Sequence, residues 1–295
     1  MQPVVEHIYS SQDEIGESPI WSSAERALYW LDTEGYCVHR LNPASGNYRR
    51  FSSDLALTAI AFCESGGWLT ATKEGLYHWD RQFSVRRFLG DPVSDKQSVR
   101  FNDAVVDRAG RLWAGTLNEE QLQAADGELY CMTSDSAIKV MASGFSVANG
   151  ISWSPDGTRL YISNMFQHKV EVFTQEAATA QLSQRRTFIS FSEADGMPDG
   201  LTVDAQGYLW VALWGGGKVC RYNPQGVLDQ TIHLPVSNPT RCTFGGADLT
   251  QLYVCSARFG LSDAQKKQQP KAGDLFRIDL GIEGLAEQVC SHLSL

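Results

Sequence analysis

Three oxygen-bearing side chains, widely separated along the chain, stand beside glycine or proline: Glu17 in Gly-Glu-Ser-Pro, Asn149 in Asn-Gly, and Asp199 in Pro-Asp-Gly. Two carboxylates and an amide oxygen that converge suit a hard divalent cation, which removes the repulsion between the two negative charges. We therefore interpret Glu17, Asn149 and Asp199 as ligands of one divalent metal ion, whose identity stays open among Ca²⁺, Zn²⁺, Mn²⁺ and Mg²⁺. The alternative is that Asn-Gly and Asp-Gly are only turn residues and Glu17 is a solvated strand end.

The segment Arg100-Phe101-Asn102-Asp103 offers a different chemistry. Alternation along a strand places Arg100 and Asn102 on one face, and Phe101 and Asp103 on the other. A guanidinium fork and an amide suit the hydroxyl groups of a sugar or a carbonyl oxygen. We interpret Arg100 and Asn102 as substrate-binding residues; the alternative is a surface arginine beside a turn-forming asparagine.

A recurring aromatic strand supplies the elements that must position these residues. Its six copies begin 40, 44, 48, 49 and 43 residues apart, at Leu28, Trp68, Leu112, Leu160, Leu209 and Leu252. This spacing fits a blade of four antiparallel strands joined by tight turns. The sequence predicts an all-β fold, a six-bladed β-propeller with four antiparallel strands per blade, as a single domain over residues 1–295. A strand at residues 4–9 is expected to close the ring.

The phase of the repeat predicts which residues meet at the propeller axis. The first strand of each blade lines the central channel, so positions about ten or eleven residues before each aromatic strand should converge there. These positions are Glu17, Leu57, Phe101 or Asn102, Asn149, Asp199, and Thr240 or Arg241. All three proposed metal ligands share this phase, which turn chemistry alone does not explain.

Composition excludes several classes of partner. The chain has 25 Lys and Arg against 34 Asp and Glu, a net charge of −9, which disfavours binding to nucleic acid or to an anionic membrane.

No apolar run reaches the roughly 20 residues of a membrane helix, and no secretory signal is apparent. Seven cysteines without C-x-x-C spacing disfavour a disulfide framework. We expect a cytoplasmic protein; the alternative is a processed secreted chain with an added Met1. The sequence gives no indication of the oligomeric state.

Seven ordered segments resemble the regucalcin (senescence marker protein 30)/gluconolactonase family, and particularly its bacterial sugar-lactonase members. They are Gly16–Trp21, Arg100–Asp103, Ala114–Thr116, Asn149–Ile151, Pro198–Gly200, Leu213–Gly217 and Cys242–Gly246. The resemblance implies a six-bladed propeller with one divalent metal that hydrolyses a sugar (aldonic acid) lactone to the free sugar acid. It places the metal ligands on Glu17, Asn149 and Asp199 and substrate contacts on Arg100 and Asn102. It also implies an acidic substrate contact at Glu120, next to Glu119.

The resulting hypothesis is a metal-dependent sugar lactonase whose small-molecule substrate is a sugar lactone. The metal polarises the lactone carbonyl and activates water, and Asp199 acts as general base. The alternatives are a non-catalytic calcium-binding or regulatory propeller, and another propeller hydrolase that cleaves aryl esters or organophosphates. An interaction scaffold is disfavoured, because Trp-Asp and kelch-type repeats are absent from the sequence.

Overall fold

A computed structural model describes residues 3–133 and 137–291 of the chain. Within these ranges the strands form six antiparallel sheets. The first strand of each sheet packs against the first strands of the two neighbouring sheets, which closes a ring. The predicted six-bladed β-propeller with four antiparallel strands per blade is therefore confirmed.

Most of the strands follow the chain order around the ring. The first strand, β1 (Val5–Tyr9), belongs to the last blade. Blade 1 consists of β2 (Gly16–Ser22), β3 (Ala27–Asp32), β4 (Cys37–Asn42) and β5 (Asn47–Ser52). Blade 2 consists of β6 (Leu57–Cys63), β7 (Trp68–Thr72), β8 (Gly75–Trp79) and β9 (Arg86–Gly90). Blade 3 consists of β10 (Val99–Val106), β11 (Leu112–Asn118), β12 (Gly127–Met132) and β13 (Ile138–Phe145).

The second half of the ring repeats the pattern. Blade 4 consists of β14 (Ala148–Trp153), β15 (Arg159–Asn164), β16 (Lys169–Gln175) and β17 (Leu182–Ser190). Blade 5 consists of β18 (Met197–Val203), β19 (Leu209–Trp214), β20 (Lys218–Tyr222) and β21 (Leu228–His233). Blade 6 consists of β22 (Pro239–Gly245), β23 (Gln251–Ser256), β24 (Leu275–Asp279) and β1.

The ring is closed by pairing between the two ends of the chain. Strand β1 runs antiparallel to β24, with Val5 opposite Ile278 and Glu6 opposite Arg277, so the predicted closing strand is confirmed. Near the C-terminus, a short strand β25 (Val289–Cys290) pairs in parallel with β6. The β1–β24 pairing ties the segment before blade 1 to blade 6, and the β25–β6 pairing ties the segment after blade 6 to blade 2.

The aromatic strands form the core between the blades. Trp30, Trp113, Tyr161, Trp210 and Tyr253, each on the second strand of its blade, are at most 1% exposed. Burying one such aromatic side chain contributes on the order of 2–3 kcal/mol, so the repeated aromatic residue stabilises every blade it occupies.

Helix is scarce in this fold. The helical segments in residues 3–133 and 137–291 are two 3₁₀ turns, Met165–Gln167 and Glu193–Asp195, and α1 (Asp263–Gln268) between β23 and β24. Ser262 caps α1 by accepting a hydrogen bond from the Gln265 backbone N–H. None of these segments is long and apolar enough to span a membrane. All seven cysteines are buried, and they form no disulfide.

Candidate metal and substrate site

Each inner strand of the ring carries an irregularity in its pairing with the second strand. The register shifts lie between Glu17 and Ile20, Leu57 and Ala59, Phe101 and Asp103, Asn149 and Ile151, Pro198 and Leu201, and Pro239 and Cys242. An inserted residue of this kind bends the strand and re-aims a side chain. The positions singled out by the repeat phase therefore coincide with the places where the inner strands deviate from regular pairing.

Five of the six predicted site residues line one cavity of about 280 Å³. They come from four blades: Glu17, Arg100, Asn102, Asn149 and Asp199. The sixth, Glu120, is exposed and does not belong to the lining. Its neighbour Glu119 instead accepts a hydrogen bond from Arg100 Nε at 2.7 Å.

The three proposed metal ligands are drawn from blades 1, 4 and 5. The Asn149 amide nitrogen donates a hydrogen bond to the Asp199 carboxylate, and its amide oxygen accepts one from the Gly150 backbone N–H at 2.9 Å. Because a half-turn about the last side-chain torsion exchanges the amide O and N, Asn149 can present oxygen to a cation on the same side.

Two glycines permit this close approach. Gly150 has φ +47°, in the left-handed region, and a Cβ there would overlap the backbone carbonyl oxygen of Asp199. A Cβ at Gly200 would overlap the side chain of Arg241. The Asn-Gly and Asp-Gly pairs are therefore needed for packing between blades, in addition to any role in turns.

Glu17 is held by a strained segment. The next residue, Ser18, has φ +48° although it carries a side chain, a conformation that costs on the order of 1 kcal/mol or more. The Ser18 backbone N–H donates to Glu17 Oε2 at 2.9 Å, and Ser18 Oγ accepts from the Ile60 backbone N–H at 3.0 Å. This arrangement fixes the Glu17 carboxylate and links blade 1 to blade 2.

The carboxylates at this site repel one another. Burial, followed by the charge of Asp103, raises the pKa of Glu17 to about 7. Burial, followed by the charges of Glu17 and Asp103, raises the pKa of Asp199 well above its ordinary value. Both groups thus gain from a nearby positive charge, which a divalent cation provides.

Asp103 and Arg241 were not predicted as a functional pair. The alternation argument placed Asp103 on the face away from Arg100 and Asn102, and this prediction is wrong: all three line the cavity. The shift in register between Phe101 and Asp103 breaks the two-residue period, so only Phe101 turns into the core. Arg241 forms a buried ion pair with Asp103; its place in the repeat phase was the signal that pointed to the axis.

Blade 2 contributes Thr58 in place of the expected Leu57. Leu57 is buried in the core between blades 1 and 2, whereas Thr58 lines the cavity. Thr58 is 5% exposed, and its hydroxyl has no hydrogen-bond partner within the described residues. A buried hydroxyl without a partner is costly, so Thr58 is available to a bound molecule.

One side of the cavity is apolar. A compact cluster of six side chains from blades 3, 4 and 5 forms this side, and all six also line the cavity: Leu117, Val147, Met165, Phe166, Met197 and Trp214. We refer to these six residues as the apolar wall. The cavity thus combines buried carboxylates, polar donors and a hydrophobic surface.

The donor set fits a hard divalent cation better than a soft one. In residues 3–133 and 137–291, no three His, Cys, Asp or Glu side chains are grouped as a metal site. Glu17 and Asp199 instead have an amide, Asn149, as the third candidate. Carboxylate and amide oxygens without thiolate or imidazole are typical of Ca²⁺, Mg²⁺ and Mn²⁺ sites.

Comparison with known proteins gives a consistent set of relatives. A family profile described as "SMP-30/Gluconolactonase/LRE-like region" matches residues 15–258. Regucalcin from Oryctolagus cuniculus is 36% identical over 278 residues, which cover 92% of this chain and 92% of that protein.

Two solved structures extend the similarity to nearly the whole chain. A luciferin-regenerating enzyme is 28% identical with a TM-score of 0.91, covering 98% of this chain and 99% of its own. A protein described as the calcium-binding protein regucalcin, from Agrobacterium tumefaciens str. C58, is 26% identical with a TM-score of 0.93, covering 98% of both chains.

Proposed function

The chain belongs to the SMP-30/gluconolactonase/LRE-like family, and we propose that it hydrolyses a sugar lactone to the free sugar acid with the help of one divalent metal ion. One observation carries the proposal: Glu17, Asn149, Asp199, Arg100 and Asn102 line a single cavity although they come from four blades. The proposed metal ligands and the proposed substrate-binding residues can therefore contact the same small molecule.

Glu17, Asn149 and Asp199 would hold the cation. When bound there, a divalent ion polarises the lactone carbonyl, lowers the pKa of bound water and stabilises the developing oxyanion. The raised pKa values of Glu17 and Asp199 support this assignment, because both carboxylates are unfavourable in their charged form without a cation.

Asp199 is the proposed general base. Its carboxylate takes a proton from the water that attacks the carbonyl carbon, and after the ring C–O bond breaks it returns that proton to the leaving alkoxide oxygen. Asp199 is 2% exposed, so bulk water does not compete freely for this carboxylate. The narrow space around Gly150, where a Cβ would overlap the Asp199 backbone carbonyl oxygen, holds it in place.

Arg100 and Asn102 are proposed to orient the substrate. Arg100 donates through Nε to Glu119 and through an Nη atom to the Phe101 carbonyl oxygen at 3.0 Å, which leaves further guanidinium N–H groups for the cavity. Positioning of this kind can account for a large part of a rate enhancement. We assign no direct substrate contact to Glu120; Glu119 acts by holding Arg100.

The experiment that tests this function is acid release from a panel of aldonolactones, with Ca²⁺, Zn²⁺, Mn²⁺ or Mg²⁺, and with excess chelator. We expect a rate that the chelator removes and one of the cations restores. Cation binding without hydrolysis of any lactone would favour the non-catalytic calcium-binding alternative.

We also propose a cytoplasmic location, which the seven buried thiols support.

A further inference from the structure

The apolar wall lies at one mouth of the channel. Leu117 and Trp214 stand near the ends of the second strands β11 and β19, and Met165 and Phe166 form the 3₁₀ turn that follows β15. Val147 precedes β14 and pairs with Leu117, and Met197 begins β18. The six side chains thus meet where second strands end and first strands begin.

The polar groups of the cavity lie on blades 2 and 3, next to the wall. Thr58 belongs to blade 2, and Arg100 and Asn102 belong to blade 3. Blade 2 stands opposite blade 5, which supplies Met197 and Trp214, whereas Arg100 is paired with Leu117 of the wall within blade 3. A molecule in the cavity therefore meets the hydrogen-bonding groups of Thr58, Arg100 and Asn102 together with the hydrocarbon, thioether and indole groups of the wall.

The size of the cavity limits the ligand. About 280 Å³ is slightly below the usual range of roughly 300–1,000 Å³ for small-molecule pockets, so the cavity suits one monocyclic lactone. Val147 and Met197 lie two residues before Asn149 and Asp199, at the end of the first strands that faces the mouth. A lactone whose carbonyl lies at Glu17, Asn149 and Asp199 and which extends towards the mouth therefore meets the apolar wall with its far end.

A terminal hydroxymethyl group is poorly matched to this wall. It would lose its hydrogen bonds to water, and five of the six side chains carry no N–H or O–H group to replace them; the indole N–H of Trp214 is the exception. A terminal methyl group loses no hydrogen bond and gains burial. The ring hydroxyl groups, by contrast, can pair with Arg100, Asn102 and the hydroxyl of Thr58, which has no partner in the part of the chain that the structure describes.

We infer that the substrate of this site is a lactone that keeps its ring hydroxyl groups but ends in an apolar substituent, such as a methyl group, at the end remote from the carbonyl. This inference rests on the proposed function, because it names the substrate class of the same site. The apolar wall is the feature that selects for the deoxy end.

The test compares two lactones that differ in one terminal oxygen atom, D-galactono-1,4-lactone and 6-deoxy-D-galactono-1,4-lactone. Hydrolysis is measured as acid release at saturating cation, with the uncatalysed rate subtracted. We expect kcat/KM to favour the 6-deoxy lactone about tenfold or more, as for other single-group discriminations in apolar pockets.

Two variants test whether the apolar wall causes the preference in kcat/KM for the 6-deoxy lactone. Phe166→Asn and Met165→Gln should each lower the kcat/KM ratio towards one, because they give the terminal hydroxyl a partner. Phe88→Asn is the matched control: Phe88 is 55% exposed on β9, outside the cavity, so the ratio should be unchanged. Circular dichroism and thermal unfolding check that each variant is folded.

The possible outcomes distinguish a failure of the inferred substrate class from a failure of the proposed lactonase activity. Hydrolysis of both lactones with a ratio of one or below in the wild-type protein overturns the inference and leaves the lactonase proposal intact. Hydrolysis of neither these nor any other lactone with any cation overturns the proposed function and the inference with it. Should the wall variants fail to fold, the wild-type ratio decides alone.

Discussion

Arg241 of blade 6 and Asp103 of blade 3 form a buried ion pair that crosses the propeller axis, because these two blades stand on opposite sides of the ring. Their charges also act on the neighbouring site: Arg241 favours the charged form of Glu17, whereas Asp103 disfavours it. The pair therefore links the two halves of the ring and balances the charge beside the proposed metal ligands.

We predict that breaking this pair is more harmful than removing it. Arg241→Met should lower the free energy of unfolding by about 3–5 kcal/mol, because Asp103 is left buried and uncompensated. The double variant Arg241→Met/Asp103→Leu should recover a substantial part of the loss. Urea unfolding of the wild-type, single and double variants measures the coupling; simple additivity of the two single effects would contradict the ion-pair interpretation.

We expect the buried carboxylates of the site to lower the stability of the cation-free protein and to be needed for cation binding. Asp199→Asn removes a buried charge that Glu17 and Asp103 oppose, so the chelated variant should unfold at a higher temperature than chelated wild type. The variant should also lose most of the stabilisation that added cation gives and should have at least about 10³-fold lower lactonase activity. Thermal scans with chelator and with cation provide the comparison. Wild-type turnover in this variant would remove Asp199 from its assigned role.

Arg100 should affect the substrate more than the cation. We expect Arg100→Ala to raise KM about tenfold or more, since a charge-assisted contact contributes on the order of 1.5–3 kcal/mol, with little change in the Kd for the cation. Arg87→Ala, at an exposed position on β9, is the control and should leave both values unchanged. Parallel loss of cation affinity in Arg100→Ala would show that its role is electrostatic support of the metal site.

Thr58→Val should change stability and activity in opposite directions. The hydroxyl of Thr58 is buried and has no hydrogen-bond partner among residues 3–133 and 137–291, so its removal should raise the free energy of unfolding by about 1 kcal/mol. The same change should lower kcat/KM for hydroxylated lactones, because the substrate loses a partner. Denaturant unfolding and steady-state kinetics measure the two effects, and Thr58→Ser should restore activity.

His39 gives the fold a pH dependence separate from the site. Its Nε2 lies 3.0 Å from Asp13 Oδ1. Burial alone would lower its pKa, but hydrogen bonds to Asp13 and Cys37 outweigh burial and raise the pKa of His39 to about 9.

The raised pKa of His39 determines how the stability of the fold changes with pH. The pKa in the folded state lies above that in the unfolded state, so the stabilisation by His39 is complete below about pH 6.5 and is lost as the pH rises to about 9. This contribution to the free energy of unfolding should amount to roughly 1–3 kcal/mol. Unfolding of the cation-loaded protein between pH 6 and 9 measures it, and His39→Gln should flatten that part of the profile. An identical profile in the variant would refute the assignment.

Much of the fold could be predicted from the sequence because its signals are local and periodic. The aromatic strands at 40 to 49 residue spacing each predict one hairpin, and six hairpins of blade length predict the ring. In a circular array, equal phase means equal distance from the axis, and Glu17, Asn149 and Asp199 accordingly line one cavity.

Other features depended on contacts that a sequence pattern does not contain. Helix α1 is an insertion within blade 6 that interrupts the repeat. The position of Asp103 was wrongly predicted because strand alternation is a local rule, and a register shift relative to the next strand breaks it. The same limit explains why Leu57 was expected at the axis where Thr58 lies.

The sequence by itself determined the number of blades and the closing strand, and it singled out three oxygen-bearing side chains that line one cavity, since each depends on residue type and spacing along the chain. Only the tertiary structure decided that Arg241 crosses to Asp103, that Glu119 holds Arg100, and that six apolar side chains from three blades form one wall. The physical reason is that these contacts join segments from different blades. Their geometry depends on how the sheets twist and pack, which no single segment specifies.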